Sequence, residues 1–291
     1  MNTPTPNPAL LADLTASLRA EEDAARADFA AGRPRGPITG FKSLDRELGG
    51  FLAPGIHTLL AAPGAGKTAI ALQIAGQCGC PALFVTCEMR PTDLLRRITA
   101  QVTGNVLNNF KGGRLADTDL SKQTQQAADA YSQLAIYDAT IQPPSPEAIR
   151  DAALALRDNR FSSRHILIVV DSLTDWAASM SADMTEYQAN EYALNALKKI
   201  ALELACPVLL IVHRNRSGQA DESNKMFAGK ATGRIEYISE TMWNIEHSGN
   251  KEPDINGQTQ KKLTLLKNRN GSPFVDLTFL FEGRCQRYSQ G

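Results

Sequence analysis

The stretch Leu59-Leu60-Ala61-Ala62-Pro63-Gly64-Ala65-Gly66-Lys67-Thr68-Ala69-Ile70-Ala71-Leu72 decides the fold. An apolar run that reads as a buried strand passes through Pro63-Gly64-Ala65-Gly66 and becomes a helical pattern at Ala69. Strand, phosphate loop and helix in that order make a nucleoside-triphosphate site. Glycines let successive backbone N–H groups turn inward toward phosphate oxygens, and the following helix N-terminus adds its positive dipole end. On this reading Ala62, Pro63, Gly64, Ala65, Gly66, Lys67, Thr68 and Ala69 hold ATP. Lys67 reaches the β- and γ-phosphates, and the Thr68 hydroxyl ligates Mg²⁺. The first motif position is Ala61 where the pattern has Gly.

Around this stretch lie 291 residues, 43% of them hydrophobic, enough to bury a large core and consistent with one large domain. The 31 basic and 31 acidic residues cancel, so no global basic field announces a nucleic-acid protein. The balance is uneven: residues 1–195 hold 17 Lys/Arg against 21 Asp/Glu, and residues 196–291 hold 14 against 10, which puts any polyanion surface in the last third. The five cysteines, Cys78, Cys80, Cys87, Cys206 and Cys285, read as reduced thiols. Cys78-Gly79-Cys80 has the look of half a metal site, but no second Cys or His pair has ligand spacing. No apolar stretch approaches the ~20 residues needed to span a membrane, and the N-terminus lacks a secretory apolar core. A soluble, cytoplasmic protein without a membrane partner is expected.

Three prolines within residues 2–8 exclude a helix there and indicate a disordered tail. Leu10, Leu11, Leu14 and Leu18 then recur at helical spacing, forming an arm to about Ala31 that either packs on its own domain or docks on a neighbouring subunit. Gly32 to Pro37 has linker composition, so the division expected is a tail, arm and linker over 1–37 and a single large domain over 38–291. Residues 38–54 carry a short amphipathic helix ended by Gly49-Gly50. Strands and helices then alternate: strand 56–61, helix 67–78, strand 81–87, helix 91–103 and a helical middle over 117–133. Strand 134–138, helix 146–158, strand 165–171, helix 186–205 and strand 207–212 follow. Ile166-Leu167-Ile168-Val169-Val170 shows no alternation, as expected of a parallel strand covered on both faces. The chain reads as a doubly wound α/β domain with a mainly parallel sheet. Arg214 to Thr232 reads as a long polar loop, and strands 241–247, 260–267 and 274–281 close the chain.

Asp171 ends an apolar strand, where the carboxyl ends of an open parallel sheet face the ligand crevice. There it holds the Mg²⁺ shell opposite Thr68. Glu88, just past the preceding strand, is placed to orient and deprotonate the attacking water, or else serves only as a helix N-terminal carboxylate. His213 at the end of a third strand is a candidate hydrogen-bond donor to the γ-phosphate, the alternative being a structural histidine.

Taken together, Ile38-Thr39-Gly40-Phe41-Lys42-Ser43-Leu44-Asp45-Arg46, the phosphate loop, Glu88-Met89, Asp171-Ser172-Leu173 and Lys267-Asn268-Arg269-Asn270-Gly271 resemble the C-terminal motor domain of DnaB-type replicative helicases, within the RecA-like P-loop ATPases. The resemblance covers roughly residues 38–288 in motif order and spacing. It implies a homo-oligomer, a hexameric ring that hydrolyses ATP at subunit interfaces and moves along single-stranded DNA, with a loader or primase as partner. It further implies that Glu88 is the catalytic carboxylate and that Lys267 and Arg269 reach into the neighbour's nucleotide. The alternative for that pair is two surface basic residues at a hairpin. An Arg supplied in trans neutralises charge building on the transferred phosphoryl group. Gly229 to Glu236 resembles the segment that lines the family's DNA channel, so Lys230, Thr232 and Gly233, together with Arg97, are the expected DNA contacts.

The chain departs from the family at three points. His213 stands where the family has Gln, Lys230-Ala231-Thr232-Gly233 replaces Arg-Glu-Ser-Gly, and nothing matches the N-terminal primase-interacting domain. An ATP-driven helicase serving a chromosome, plasmid or phage is therefore the leading expectation. A RecA-like ATPase acting as loader, recombination mediator or regulatory assembly factor without unwinding is the alternative.

Overall fold

The computed structural model describes residues 9–179, 184–213, 230–249 and 252–290, with the backbone alone at 230–232. It separates into two compact units, one ending at Gly36 and one spanning Pro37–Gly291. The first is built on α1 (Leu11–Ala30), whose opening turn is closed by Asp13 accepting the Leu10 N–H. The expected helix is formed there, and Leu10, Leu11, Leu14 and Leu18 are exposed.

The second unit starts with α2 (Lys42–Glu47). Asp45 fixes it by accepting both the N–H and the hydroxyl of Thr39, at 2.6 and 2.8 Å. There follow β1 (Gly55–Ala61), α3 (Lys67–Gln77), β2 (Ala82–Thr86), α4 (Pro91–Thr103), α5 (Asp117–Ala130) and β3 (Leu134–Asp138). Next come α6 (Pro146–Leu154), β4 (Leu167–Asp171), α7 (Leu173–Ala178), α8 (Glu186–Glu203) and β5 (Pro207–His213). The chain ends with α9 (Lys230–Ile238), β6 (Ser239–His247), β7 (Gln258–Asn268), β8 (Val275–Glu282) and β9 (Arg287–Gln290). Local chemistry sets several of these boundaries. Pro91 opens α4 and Gly104, left-handed at φ 72°, closes it. Thr185 and Gln188 form a reciprocal capping box on α8.

Among the described residues one nine-stranded sheet runs β3-β2-β4-β5-β1-β6-β7-β8-β9. Its first six strands are parallel, and β7, β8 and β9 add antiparallel hairpins. Side chains alternate between two apolar layers, as the period of a strand requires. On one face Leu59, Phe84, Val169 and Ile211 pack with Ile70, Ile74, Leu94 and Ile98 of α3 and α4. On the other, Leu60, Val85, Val170 and Leu210 meet Ile149, Trp176, Leu194 and Leu197 of α6, α7 and α8. This is the doubly wound arrangement that the unalternating strand sequences imply.

The structure adds elements that periodicity does not show. A 3₁₀ turn covers Leu107–Phe110, α6 runs on as a π-helical segment over Ala155–Arg160, and α7 and β9 are too short to carry a pattern. The expected loop to Thr232 is corrected at its end, because α9 already begins at Lys230. Among its described side chains α9 buries Ile235 and Ile238, too few to show as a repeat. Residues 214–229, the rest of that expected loop, lie outside the described residues. Among the described residues no helix is long and apolar enough to cross a membrane.

Candidate functional site

Strand order brings the candidate residues together. The carboxyl ends of β2, β4, β5 and β1 lie side by side in the sheet. They deliver, in that order, Glu88, Asp171, His213 and the loop Ala62–Gly66. Gly64 and Gly66 are left-handed, at φ 77° and 95°. At Gly66 even a Cβ is excluded, since it would stand 2.4 Å from the Tyr288 hydroxyl. Gly66 also caps α3 without a side-chain bond, leaving the first-turn N–H groups to an anion. Ala62, Pro63 and Gly64 are exposed, whereas Ala65 and Ala69 are buried beneath the loop.

Lys67 is 6% exposed, and its Nζ donates to the carbonyls of Ala61 (3.0 Å) and Ala62 (3.3 Å). Burial lowers its pKa from the ordinary lysine value, opposed by the charges of Asp171 and Glu88. Thr68 Oγ1 donates to Asp171 Oδ2 at 2.7 Å, joining the phosphate loop to the end of β4. Asp171 is almost wholly buried with Oδ1 unpartnered. Burial raises its pKa to about 6, and the nearby Glu88 charge adds to the effect while the Thr68 hydrogen bond works against it. An orphaned carboxylate oxygen beside a hydroxyl is the hard oxygen set that Mg²⁺ takes, so these residues fit that ion.

Glu88 is exposed, and its Oε2 stands 3.7 Å from His213 Nε2. A residue that sequence reasoning missed joins them: Asp175 of α7, with Oδ2 at 3.9 Å from the same nitrogen. Its place in the helix that starts directly after Asp171 was the one available signal. Tyr288 was missed too. Its hydroxyl donates to the Ala65 carbonyl at 2.9 Å, and its backbone exchanges two 2.9 Å hydrogen bonds with the Gln73 amide. Thus β9 is fastened to both the phosphate loop and α3.

Arg97, expected among the DNA contacts, lies on the nucleotide side of the molecule. It donates to Gln286 Oε1 and interacts with the charges of Asp171, Asp93 and Glu88. Gly233 is exposed in the first turns of α9, and the side chains of Lys230 and Thr232 lie outside the described residues. Lys267 Nζ donates to the Glu236 carbonyl at 2.5 Å. Arg269 binds Glu240 Oε1 at 3.2 Å and the Tyr237 carbonyl at 3.0 Å. Glu240 packs beside Gly55, at the amino end of β1. The phosphate loop is at the other end of that strand, roughly 20 Å away at about 3.3 Å per residue. Lys267 and Arg269 are therefore not part of the phosphate site of their own chain.

Comparison with known proteins bears on the family and the fold. The family model of the DnaB-like helicase C terminal domain matches residues 36–290. The replicative DNA helicase DnaB of Treponema pallidum (strain Nichols) is 25% identical over 264 residues, covering 87% of this chain and 56% of the relative. The chain spans about half the length of the curated relatives it matches. In fold it is similar to the ATPase domain of G40P, with a TM-score of 0.79, 18% identity and coverage of 98% of this chain and 100% of that one. A DnaB-like replicative helicase described with its interactions with primase gives a TM-score of 0.76 at 19% identity, over 94% of this chain and 67% of that one. With a family model matched along nearly its whole second unit, this chain belongs to the DnaB-like helicase C-terminal domain family.

Proposed function

We propose that this chain is the ATP-hydrolysing motor of a ring-shaped DNA helicase that translocates on single-stranded DNA during replication of a chromosome, plasmid or phage. The observation that carries the reading is the Thr68–Asp171 contact at 2.7 Å, which joins a phosphate loop to a strand-end carboxylate beside Glu88. Backbone N–H groups of Gly64 to Thr68 receive the β- and γ-phosphates. Lys67, released from the Ala61 and Ala62 carbonyls, neutralises them. Thr68 and Asp171 would hold Mg²⁺, which would supply electrostatic stabilisation of the charge that develops on the phosphate oxygens. Glu88 takes the proton of the attacking water. His213, within reach of Glu88, donates to the γ-phosphate and passes its loss to the chain that follows β5.

Arg269 and Lys267 complete the site of a neighbouring subunit. Their separation from their own phosphate loop supports action in trans, hence a homo-oligomer, and the family supports a hexameric ring. Lys230, Thr232 and Gly233 contact the DNA backbone, and a loader or primase is the partner expected at assembly. A cytoplasmic place goes with this role. Strand displacement on a forked duplex tests the reading. ATP-dependent separation that vanishes in Glu88→Gln is expected, whereas ATP turnover with no displacement would favour the loader or mediator alternative.

A further inference from the structure

The crevice at the ends of β2, β4 and β5 holds one carboxylate, that of Asp175, to which the phosphate site assigns no role. Asp171, buried and with Oδ1 unpartnered, already accounts for one cation together with Thr68. Beyond it, Glu88, Asp175 and His213 form a second donor set. One carboxylate oxygen from each acid and an imidazole nitrogen all lie within 4.8 Å of one another, and among the described residues no other group of such donors does so. His213 Nε2 is 3.7 Å from Glu88 Oε2 and 3.9 Å from Asp175 Oδ2. Ligands of a tetrahedral centre at ~2.0–2.2 Å stand about 3.4 Å apart, so the two His213 pairs need close by only a few tenths of an ångström and the Glu88–Asp175 pair by at most about 1.4 Å. All three groups are partly exposed, which gives them room to move and a solvent path for an ion. The Ser172 hydroxyl donates to Asp175 Oδ2, the kind of outer hydrogen bond that orients a ligating carboxylate.

We propose that Glu88, Asp175 and His213 bind a first-row transition-metal divalent cation at a position separate from that of Mg²⁺. The imidazole nitrogen decides the class, because nitrogen donors favour Mn²⁺ through Zn²⁺ over Mg²⁺, whereas the Thr68 and Asp171 donors are all oxygen. Binding takes the Glu88 carboxylate out of use as a base, so such ions inhibit turnover that Mg²⁺ supports. That consequence rests on the role proposed for Glu88; the binding itself does not.

Mn²⁺ added to the full chain without nucleotide is the probe, read by pulsed electron paramagnetic resonance. A ¹⁴N coupling from a coordinated imidazole is expected, persisting when excess Mg²⁺ has displaced Mn²⁺ from oxygen-only positions. It should vanish in His213→Gln, and Asp175→Asn should lower the affinity of the nitrogen-coupled ion at least about tenfold. Saturating Mn²⁺ with no nitrogen coupling would overturn the proposal, as would coupling that survives in His213→Gln or affinity unchanged in Asp175→Asn. Because the wild-type spectrum is itself a decisive readout, failure of a variant to fold does not shelter the idea. If the coupling is found but Mn²⁺ in excess leaves turnover unaffected, the site stands and the role assigned to Glu88 falls.

Discussion

His57 shows how a single side chain can tie stability to pH without touching the chemistry. It is 1% exposed on β1, with Nδ1 2.8 Å from Thr241 Oγ1 and Nε2 2.7 Å from the Ala53 carbonyl. Burial lowers its pKa to about 4, so the ring is neutral in the folded chain near neutral pH. A depressed folded pKa contributes stability that is present above the unfolded value of about 6.5 and is lost as pH falls through about 4. A shift of that size corresponds to roughly 3 kcal/mol. Thermal unfolding of the wild type should therefore become easier between pH 6.5 and 4, and His57→Gln, which does not titrate, should flatten that slope. An unchanged slope in the variant would place the acid sensitivity elsewhere. Glu88 is the opposite case, an exposed group whose substitution should spare folding. Glu88→Gln should bind ATP and lose hydrolysis by at least about a hundredfold, because an amide accepts no proton. Turnover persisting in the variant, followed by phosphate release, would mean the base lies elsewhere.

At the scale of elements, the last strand acts on the first loop. Tyr288 of β9 is buried against Phe281, with ring centroids 4.5 Å apart, and gives its only hydroxyl proton to Ala65. Tyr288→Phe keeps the ring packing and removes one buried hydrogen bond, worth about 1 kcal/mol. If that bond sets the direction of the loop amides, KM for ATP should rise on the order of five-fold. The melting temperature should move by only a few degrees. Loss of melting temperature with KM unchanged would make Tyr288 a packing residue only. This coupling was not legible in the sequence, because 223 residues separate the two partners and no local pattern joins them. By contrast, the ranges of β1, α3, α4 and α8 follow almost residue for residue from apolar runs, Pro91, Gly104 and the Thr185 cap, all of which act within a turn or two.

At the scale of the whole molecule, the site is incomplete within one chain if Arg269 acts in trans. Lys67→Ala and Arg269→Ala subunits should each be inactive alone. Mixed, they should regenerate some interfaces that pair an intact phosphate loop with an intact Arg269. ATPase activity of the mixture above that of either component, at equal total protein, is the expected outcome; a mixture no better than its parts despite shown co-assembly would return Arg269 to a surface role bound to Glu240 and Tyr237. The sequence by itself determined the phosphate loop, the strand-end carboxylates and the alternation of strands and helices, because each depends on residues close together in the chain. Tertiary structure alone decided which strand ends become neighbours. The order β2-β4-β5-β1 sets Glu88, Asp171, Asp175 and His213 around one crevice, turns Arg97 toward it and carries Arg269 to the far end of β1. Those outcomes come from burying two apolar faces of one sheet at once, a constraint on the whole chain that no single stretch of sequence records.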